Sequence, residues 1–458
     1  MSETTTPGTP DVHDILGIGF GPANLALAIA LEERDSPLTA RFLEARPSPE
    51  WQPGMLLDGS DIQNHPSRDL VTLRNPRSRY SFLNYLHEQG RLLRHLNLPS
   101  EFPLRKEYAG YIRWAAGFFS HLVDCDQRAD RVRITEVAGE SLYEVTTVSG
   151  RRYLGRTLVM GPGRTPYVPA PYDTVRSRRV FHLTQYLPRL TELTGGTGEG
   201  REPESVAVIG GSQSAVELAL DLSRRFPRTR VTTYTRSHSL RLKDTSPFSE
   251  EGYFPEFTDY YFRASREGKR ALDAYMHPTN YSSADGDVLR ELYLTMYEQE
   301  LDGDQRVFVR GNHEAVRVAE TGDGRIALDF LERHTGETIT DTVDFAVLAT
   351  GFRNMGPGPD EELCPPLMAS LADRFATEPD GRLEVDADYA LRPVADGTPP
   401  LFLNGLCESS HGIGDAGSFS LLSLRAATLA DALAGRLASA PGRTAPTRTD
   451  RAAALAAA

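Results

Sequence analysis

Residues 14–25, DILGIGFGPANL, constrain this chain more than any other stretch. Ile15, Leu16 and Ile18 read as a buried strand. Gly17, Gly19 and Gly21 let the backbone turn and come close to a pyrophosphate. Pro22 falls in the first turn of the helix that follows, where its missing N–H costs nothing. A helix starting there aims free N–H groups and the positive end of its dipole at phosphate oxygens. A dinucleotide site also needs an acid at the end of the next strand, to hold a ribose hydroxyl. The run ARFLEAR supplies Glu44. The reading is a dinucleotide site; the alternative is a structural glycine turn in some other α/β protein.

At 458 residues the chain exceeds what one core usually supports, so two domains are expected. A formal charge of −13 argues against nucleic acid or an anionic membrane as the main partner. Cys125, Cys364 and Cys407 are far apart, with neither disulfide nor metal spacing, which fits a reducing cytoplasm. No apolar run approaches a membrane span and no signal pattern opens the chain. The expectation is a cytoplasmic enzyme that binds no metal. Nearly all basic residues are arginine, the lysines being Lys106, Lys243 and Lys269.

A second glycine unit, SVAVIGGSQSAVELALDL, opens after a linker-like stretch at 192–204. Gly210, Ser212 and Ala215 take its three fingerprint positions, with a serine where glycine is usual. Its next strand, RVTTYTRS, ends in Arg236 rather than an acid. An arginine there suits a ribose 2′-phosphate, so this unit favours NADPH over NADH. The alternative is a solvated surface arginine in an arginine-rich chain. Later, DFAVLATGF reads as a buried strand ending in Thr350 and Gly351. Two glycine units and this late strand imply one flavin and one nicotinamide cofactor. No Cys-x-x-Cys and no G-x-S-x-G is present, so the redox chemistry falls to the flavin.

Seven motifs now stand in order: GIGFGPANLALAIAL, RDLVTLRNPRSRYSFLNYLHEQGRL, GGSQSAVE, SPFSEEGYFPEF, NYSSADGDVLRELY, LATGF and HGIGD…LRAA. Together they resemble the flavin-dependent N-hydroxylating monooxygenases, the lysine and ornithine N-hydroxylase group that feeds siderophore assembly. The likeness runs from about residue 12 to 435. It implies an α/β fold with two Rossmann-like dinucleotide-binding domains. The FAD domain would comprise 12–195 and 346–438. An NADPH domain would be inserted at 203–345, with a small helical substrate region at about 245–300. Residues 1–11 and 439–458 are expected to be disordered tails.

The resemblance also assigns residues. Gly17, Gly19, Gly21, Pro22 and Glu44 would hold FAD, and Gln63 would approach its isoalloxazine. Gly210, Ser212, Gln213, Ser214 and Arg236 would face NADPH, with Thr350 and Gly351 at the cofactor site. Asn280 would bridge substrate and nicotinamide ribose. The loop from His411 through Gly412 to Asp415 would close over the flavin. The implied reaction passes through a C4a-hydroperoxyflavin whose distal oxygen is attacked by a neutral amine. The expected partners are a small-molecule amine and O2, and a second copy of the chain in a homo-oligomer.

The sequence departs from the family on the substrate side. Where the family carries SFLKDL, with a lysine for the substrate's α-carboxylate, this chain has NHPSRDL. Arg68 stands at the lysine position, after His65, Pro66 and Ser67. The loop HGIGDAGSFSLLSLR is also about one residue longer than usual. Arg68 would hold a substrate carboxylate with His65 tuning the pocket, or His65 is a structural histidine bonded to backbone. Ornithine or lysine leads. The α-amine of aspartate or a similar acid, and a diamine, stay open. A Baeyer–Villiger or sulfur-oxidising flavoprotein and a non-catalytic flavoprotein are the alternatives of other classes.

Overall fold

A computed structural model describes residues 11–195, 202–415 and 417–438. The expected disordered tails lie outside the described residues except for Asp11, and so does 196–201 of the linker stretch.

The first unit forms around its glycine turn. β1 (Val12–Ile18) is buried from Asp14 to Ile18, and α1 (Pro22–Glu33) is buried from Asn24 to Leu31. Pro22 starts α1 after Gly21, the N-cap, which makes no side-chain cap bond. β2 (Ala40–Leu43) returns parallel to β1, as a right-handed crossover requires. A long irregular stretch leads to α2 (Phe82–Glu88), whose N-cap Ser81 accepts from the Asn84 N–H. α3 (Leu92–Leu96) and α4 (Arg105–Gly117) follow. β3 (Val123–Asp124), β4 (Ala129–Val137), β5 (Glu140–Thr147) and β6 (Arg152–Met160) complete the order β3-β2-β1-β6-β5-β4. The order reverses at β1, between β2 and β6. Ligand crevices open at such switch points, beyond the carboxyl ends of the strands.

The second unit repeats the device. It contains β7 (Val180–His182), α5 (Tyr186–Thr194), β8 (Ser205–Ile209), α6 (Gln213–Arg225) and β9 (Arg230–Tyr234). Four helices then form the segment expected to carry substrate: α7 (Pro247–Glu250), α8 (Pro255–Arg263), α9 (Arg266–Asn280) and α10 (Gly286–Leu301). β10 (Val307–Arg310) closes one edge of a parallel sheet. β11 (His313–Glu320), β12 (Ile326–Glu332) and β13 (Thr338–Val343) make a separate antiparallel sheet. β14 (Phe345–Leu348) inserts between β8 and β7, giving the order β10-β9-β8-β14-β7. The switch point is now β8. On α6, Val216, Leu218, Ala219 and Leu222 are buried; each large side chain contributes about 1.5–3 kcal/mol.

The sheets differ from the expected bounds in two respects. β7 and α5 precede 203, and β14 crosses 345, yet both strands hydrogen-bond into the second sheet. Strand pairing joins segments far apart in sequence, and composition does not reveal it. The expected linker also begins late, because α5 runs to Thr194 before Gly195 adopts φ +75°.

The chain then returns to the first sheet. β15 (Leu401–Leu403) pairs with the far end of β6, which makes that sheet seven-stranded. α11 (Glu408–His411) and a 3-10 turn at Ile413–Asp415 interrupt what reads in sequence as a loop. α12 (Leu422–Ala438) packs along α1.

Candidate functional site

The two glycine turns are built alike. Each strand ends one residue before a glycine in an unusual conformation, Gly19 at φ +80° and Gly210 at φ +148°. A Cβ on Gly19 would lie 2.5 Å from the Gly161 carbonyl oxygen, beyond β6. A Cβ on Gly210 would lie 2.4 Å from the Ala349 carbonyl oxygen, beyond β14. Two residues on, Gly21 and Ser212 are the N-caps, and neither helix receives a side-chain cap bond. The space beside Gly21 is open. Uncapped helix ends next to free space suit a pyrophosphate, so both turns fit a dinucleotide.

Gly17 departs from its expected role. It lies inside β1, and a Cβ there would meet the Phe42 ring at 2.2 Å. Its role is to make room for that ring. The third position of the first turn belongs instead to Asn24, which the motif reading passed over. Asn24 Nδ2 donates to the Ile18 and Gly19 carbonyls at 3.1 and 2.7 Å, and its Oδ1 accepts from Asn404 at 3.0 Å. It ties the turn to the exit of β15. Glu44, just past β2, accepts the Phe20 N–H at 2.9 Å and the Arg46 N–H at 3.0 Å. It braces the turn at the strand end.

The second turn opens into a cavity of about 560 Å³. Gly210, Ser212, Arg236, Asn280, Thr350 and Gly351 all line it. Asn280 is carried there because Pro278, which lacks an N–H, sits in the last turn of α9, and Tyr281 is extended. Gln213 is turned elsewhere. Its Nε2 donates to Glu217 at 3.1 Å, its Oε1 accepts the Asp285 N–H at 2.8 Å, and its own N–H donates to Ser283. It braces the turn after α9. Ser214 is half-buried in the first turn of α6.

A further wall of the cavity was not legible in sequence. Tyr234 and Phe330 stack at 3.8 Å and 12°, and His313 and Tyr172 stand with them on the cavity. Tyr234 and Phe330 are 2% and 1% exposed, so their stack is core that backs this wall and fixes the antiparallel sheet against the parallel one. Arg236 is exposed at the same end.

Elsewhere on the cavity stands a half-buried polar cluster. Arg164 Nη1 donates to Tyr281 Oη and Asn354 Oδ1 at 3.1 Å each and lies 3.6 Å from Glu408 Oε2. That carboxylate also accepts from Tyr281 at 2.5 Å and Asn354 at 2.9 Å. Burial raises the Glu408 pKa, with Arg164 opposing. Glu408, Ser409 and Ile413 are the residues of this loop that reach the cavity. The expected ones do not. His411 stacks on Tyr389 at 4.2 Å and bonds Ser410 at 2.9 Å. Asp415 pairs with the buried Arg425 and accepts the Cys407 N–H at 2.7 Å. Gly412, at φ +87°, leaves room for Tyr261 and Phe257. The three hold the loop's shape through partners that sequence does not place.

Gln63 is at φ +51°, and its buried Nε2 has no hydrogen-bond partner in the protein. A buried donor without a partner is costly, and a ligand acceptor there would relieve it. The segment therefore fits a flavin ring. The Gln63 N–H donates to Asp61 Oδ1 at 2.9 Å. Burial pushes the Asp61 carboxyl up to about 6, with Glu217, Asp285 and Asp287 adding to it and the Gln63 N–H opposing. The folded value lies above the ordinary 3.8, so the fold binds this proton more tightly than the unfolded chain. Stability from this group is therefore intact at low pH and lost as pH rises through about 6. Asp61→Asn keeps the acceptor and removes the charge. It should stabilise the protein by about 1–3 kcal/mol near pH 8 and by little near pH 4, read by denaturant unfolding at the two pH values.

The two units are joined through α4 and α6. Arg105 forks onto Glu217 with two bonds of 3.0 Å, and its nitrogens also donate to the Met55 and Asp61 carbonyls at 3.1 Å. Arg68 contrasts with it: its Nη1 lies 3.5 Å from Glu250 Oε2 and 3.4 Å from Ser420 Oγ. His65 is exposed, and its Nδ1 bonds Ser67 Oγ at 2.7 Å and accepts the Ser67 N–H at 3.2 Å. That is the structural reading of His65, in a local turn. Among the described residues no group of His, Cys, Asp and Glu could hold a metal ion, and no helix is long and apolar enough to cross a membrane.

Comparison with known proteins places the chain in a family. A family model described as L-lysine 6-monooxygenase/L-ornithine 5-monooxygenase matches residues 11–354. The L-ornithine N(5)-monooxygenase of Burkholderia cepacia is 36% identical over 410 residues, covering 88% of this chain and 90% of that protein. The ornithine N-hydroxylase of Kutzneria sp. 744, in a structure titled with reduced FAD, NADP+ and L-ornithine, superposes with a TM-score of 0.84 at 32% identity, over 93% of this chain and all of that one. An L-lysine 6-monooxygenase from Pseudomonas syringae gives 0.79 at 32% identity, over 92% and 99%.

Proposed function

Because the chain belongs to the L-lysine 6-monooxygenase/L-ornithine 5-monooxygenase family, we propose that it hydroxylates the terminal amine of a basic amino acid, ornithine or lysine. It is an NADPH-dependent flavin N-monooxygenase, an oxidoreductase that uses O2, with FAD and NADPH as cofactors. The reaction adds one oxygen atom of O2 to the amine nitrogen. The other atom leaves as water, with two electrons from NADPH. The flavin supplies the oxygen chemistry when bound.

The observation that carries the reading is the convergence of the second glycine turn, Asn280 and the Glu408 loop on one cavity. The first turn, Glu44 and Gln63 would hold FAD. Gly210, Ser212 and Arg236 would hold NADPH. The chain's own residues then have two tasks. Tyr253, Met276 and Ile413 form a small apolar cluster with Phe257, which keeps water from the reacting centre. The substrate amine must also be neutral, although a lysine-type amine in water keeps its proton up to a pH of about 10.4. Burial beside such a cluster favours the uncharged form. Asn280 can donate to one ligand and accept from another.

The test is NADPH-dependent hydroxylamine formation across ornithine, lysine, aspartate and putrescine. The expected result is turnover of ornithine or lysine. NADPH oxidation that yields only hydrogen peroxide, with no amine hydroxylated, would overturn the reading. For the nicotinamide cofactor, Arg236→Ala should raise the Michaelis constant for NADPH roughly ten- to hundredfold and leave that for NADH nearly unchanged, as loss of a charge-assisted phosphate bond requires. Equal losses with both cofactors would remove Arg236 from the 2′-phosphate.

A further inference from the structure

We infer that Glu408 is a positioning residue that bolts the two dinucleotide units together at the link between them, and so fixes one wall of the cavity for the nicotinamide cofactor. The inference rests on the proposed placement of NADPH in that cavity and adds to it a device that holds the walls in register.

The chain crosses between the units twice, and the crossings run side by side. The outward crossing leaves β6 through 161–167, and the return leaves β14 through 349–354. Pro166 and Phe352 form an antiparallel bridge. The Tyr167 N–H donates to the Gly351 carbonyl at 3.0 Å, and the Arg353 N–H donates to the Thr165 carbonyl at 2.8 Å. Thr350 Oγ1 donates to the Tyr167 carbonyl. A two-stranded ribbon this short is marginal by itself. Ends of elements such as these are where hinge motion between domains concentrates.

Glu408 spans the link. It stands on α11, which follows β15 of the first sheet. Its Oε2 accepts from Tyr281 Oη at 2.5 Å and from Asn354 Nδ2 at 2.9 Å. Tyr281 follows α9 of the second unit, and Asn354 lies at the end of the return crossing. Arg164, on the outward crossing, donates to both Tyr281 and Asn354 and lies 3.6 Å from Glu408. Its guanidinium also covers the Phe352 ring, 5.3 Å from the centroid. One carboxylate oxygen thus joins the first unit, both crossings and the second unit. The Glu408 and Arg164 side chains are 14% and 19% exposed, and bonds to a charged group in such a sheltered place are among the stronger ones.

The same oxygen sets Asn280. Tyr281 is the next residue, and its N–H donates to the His277 carbonyl at 2.7 Å. Ser282 is at φ +53°, and the Ser283 carbonyl accepts the Gln213 N–H at 2.9 Å. The turn at 280–283 is therefore held on one side by Gln213, at the start of α6, and on the other by Glu408. Asn280, Tyr281, Ser282, Asn354 and Glu408 all line the cavity. Loss of the Tyr281–Glu408 bond frees this wall and loosens the link in one event. A cofactor that touches the second glycine turn and this wall together favours the bolted arrangement, by its differential affinity for the two.

Two variants test this. Tyr281→Phe removes one hydroxyl and keeps the ring, and Glu408→Gln keeps the size and removes the charge. The readouts are flavin absorbance, NADP+ affinity by titration calorimetry, and hydrogen exchange of peptides spanning 164–167 and 351–354. Each variant should keep its FAD and bind NADP+ roughly tenfold more weakly. Each should also exchange faster at both crossings, with saturating NADP+ restoring much of the protection. The double variant should bind NADP+ within about twofold of the weaker single variant, because both substitutions remove the same bond. A Tyr281→Phe protein with wild-type NADP+ affinity and wild-type exchange at the crossings overturns the inference. So do losses that add in the double variant, or losses of FAD and melting temperature with NADP+ affinity unmoved, which is what a merely structural role predicts. If Glu408→Gln does not fold, Tyr281→Phe decides alone. Wild-type protein in which NADP+ protects neither 210–213 nor 280–283 from exchange defeats instead the placement of NADPH in this cavity.

Discussion

Gly19→Ala protein should be isolated without flavin. The substitution meets two obstacles at once. Gly19 sits at φ +80°, where an L-residue costs about 1–2 kcal/mol. The added Cβ would lie 2.5 Å from the Gly161 carbonyl oxygen and 3.1 Å from the Gly161 carbonyl carbon and Pro162 Cα. These are backbone atoms, so relief requires β1 and β6 to separate at their carboxyl ends, where the crevice for the pyrophosphate opens. The total should be about 2–4 kcal/mol of stability, with loss of FAD binding beyond that. Absorbance of the purified protein checks it. Gly21→Ala is the control, because the space beside Gly21 is open and its φ is −75°. It should stay folded, with any weakening of FAD binding coming from the ligand side.

Arg105→Ala should cost about 3–5 kcal/mol, since it strands the Glu217 carboxylate in a buried site. The side chains of the pair are 10% and 5% exposed, so water cannot replace the lost partner. Glu217→Ala should cost a similar amount for the mirror reason. The double variant Arg105→Met with Glu217→Leu should be much less destabilised than either, because a buried pair replaced by apolar groups of similar size is often neutral. Denaturant unfolding of the three proteins measures this. Arg105 belongs to α4 of the first unit and Glu217 to α6 of the second, so the pair also fixes how the dinucleotide crevices face each other. Hydride transfer from NADPH should slow in the double variant even where both cofactors bind, read as the rate of flavin reduction.

The backbone of both units was legible because its signals are local. A strand of β-branched and leucine residues, a glycine that must turn, and a proline or serine at a helix start lie within a dozen residues of one another. Gly19, Gly21, Gly210 and Ser212 stand where those signals put them. Gly17 does not, because spacing alone cannot tell a turn glycine from one that admits a ring from the next strand. The side chains that were misplaced share one cause. Gln213, His411 and Asp415 are polar residues beside a cofactor turn, and each is consumed by a partner elsewhere. The Ala387 carbonyl and Arg425 guanidinium are brought to the loop by the fold, so no motif records them. The Tyr234–Phe330 stack and the Arg105–Glu217 fork went unread for the same reason. The substrate end was legible only as a departure. Arg68 stood out against the family's lysine, but its ion-pair partner Glu250 lies on α7, 182 residues away.

Everything proposed for the site depends on whether this protein places an oxygen atom from O2 on a side-chain amine. The mass of the product formed from ornithine, NADPH and isotopically labelled O2 decides it. The expected product is a hydroxylamine that carries one labelled oxygen on its terminal nitrogen, formed in step with NADPH consumed. A product with unlabelled oxygen, or NADPH consumed with all of the label in hydrogen peroxide and water, would contradict it.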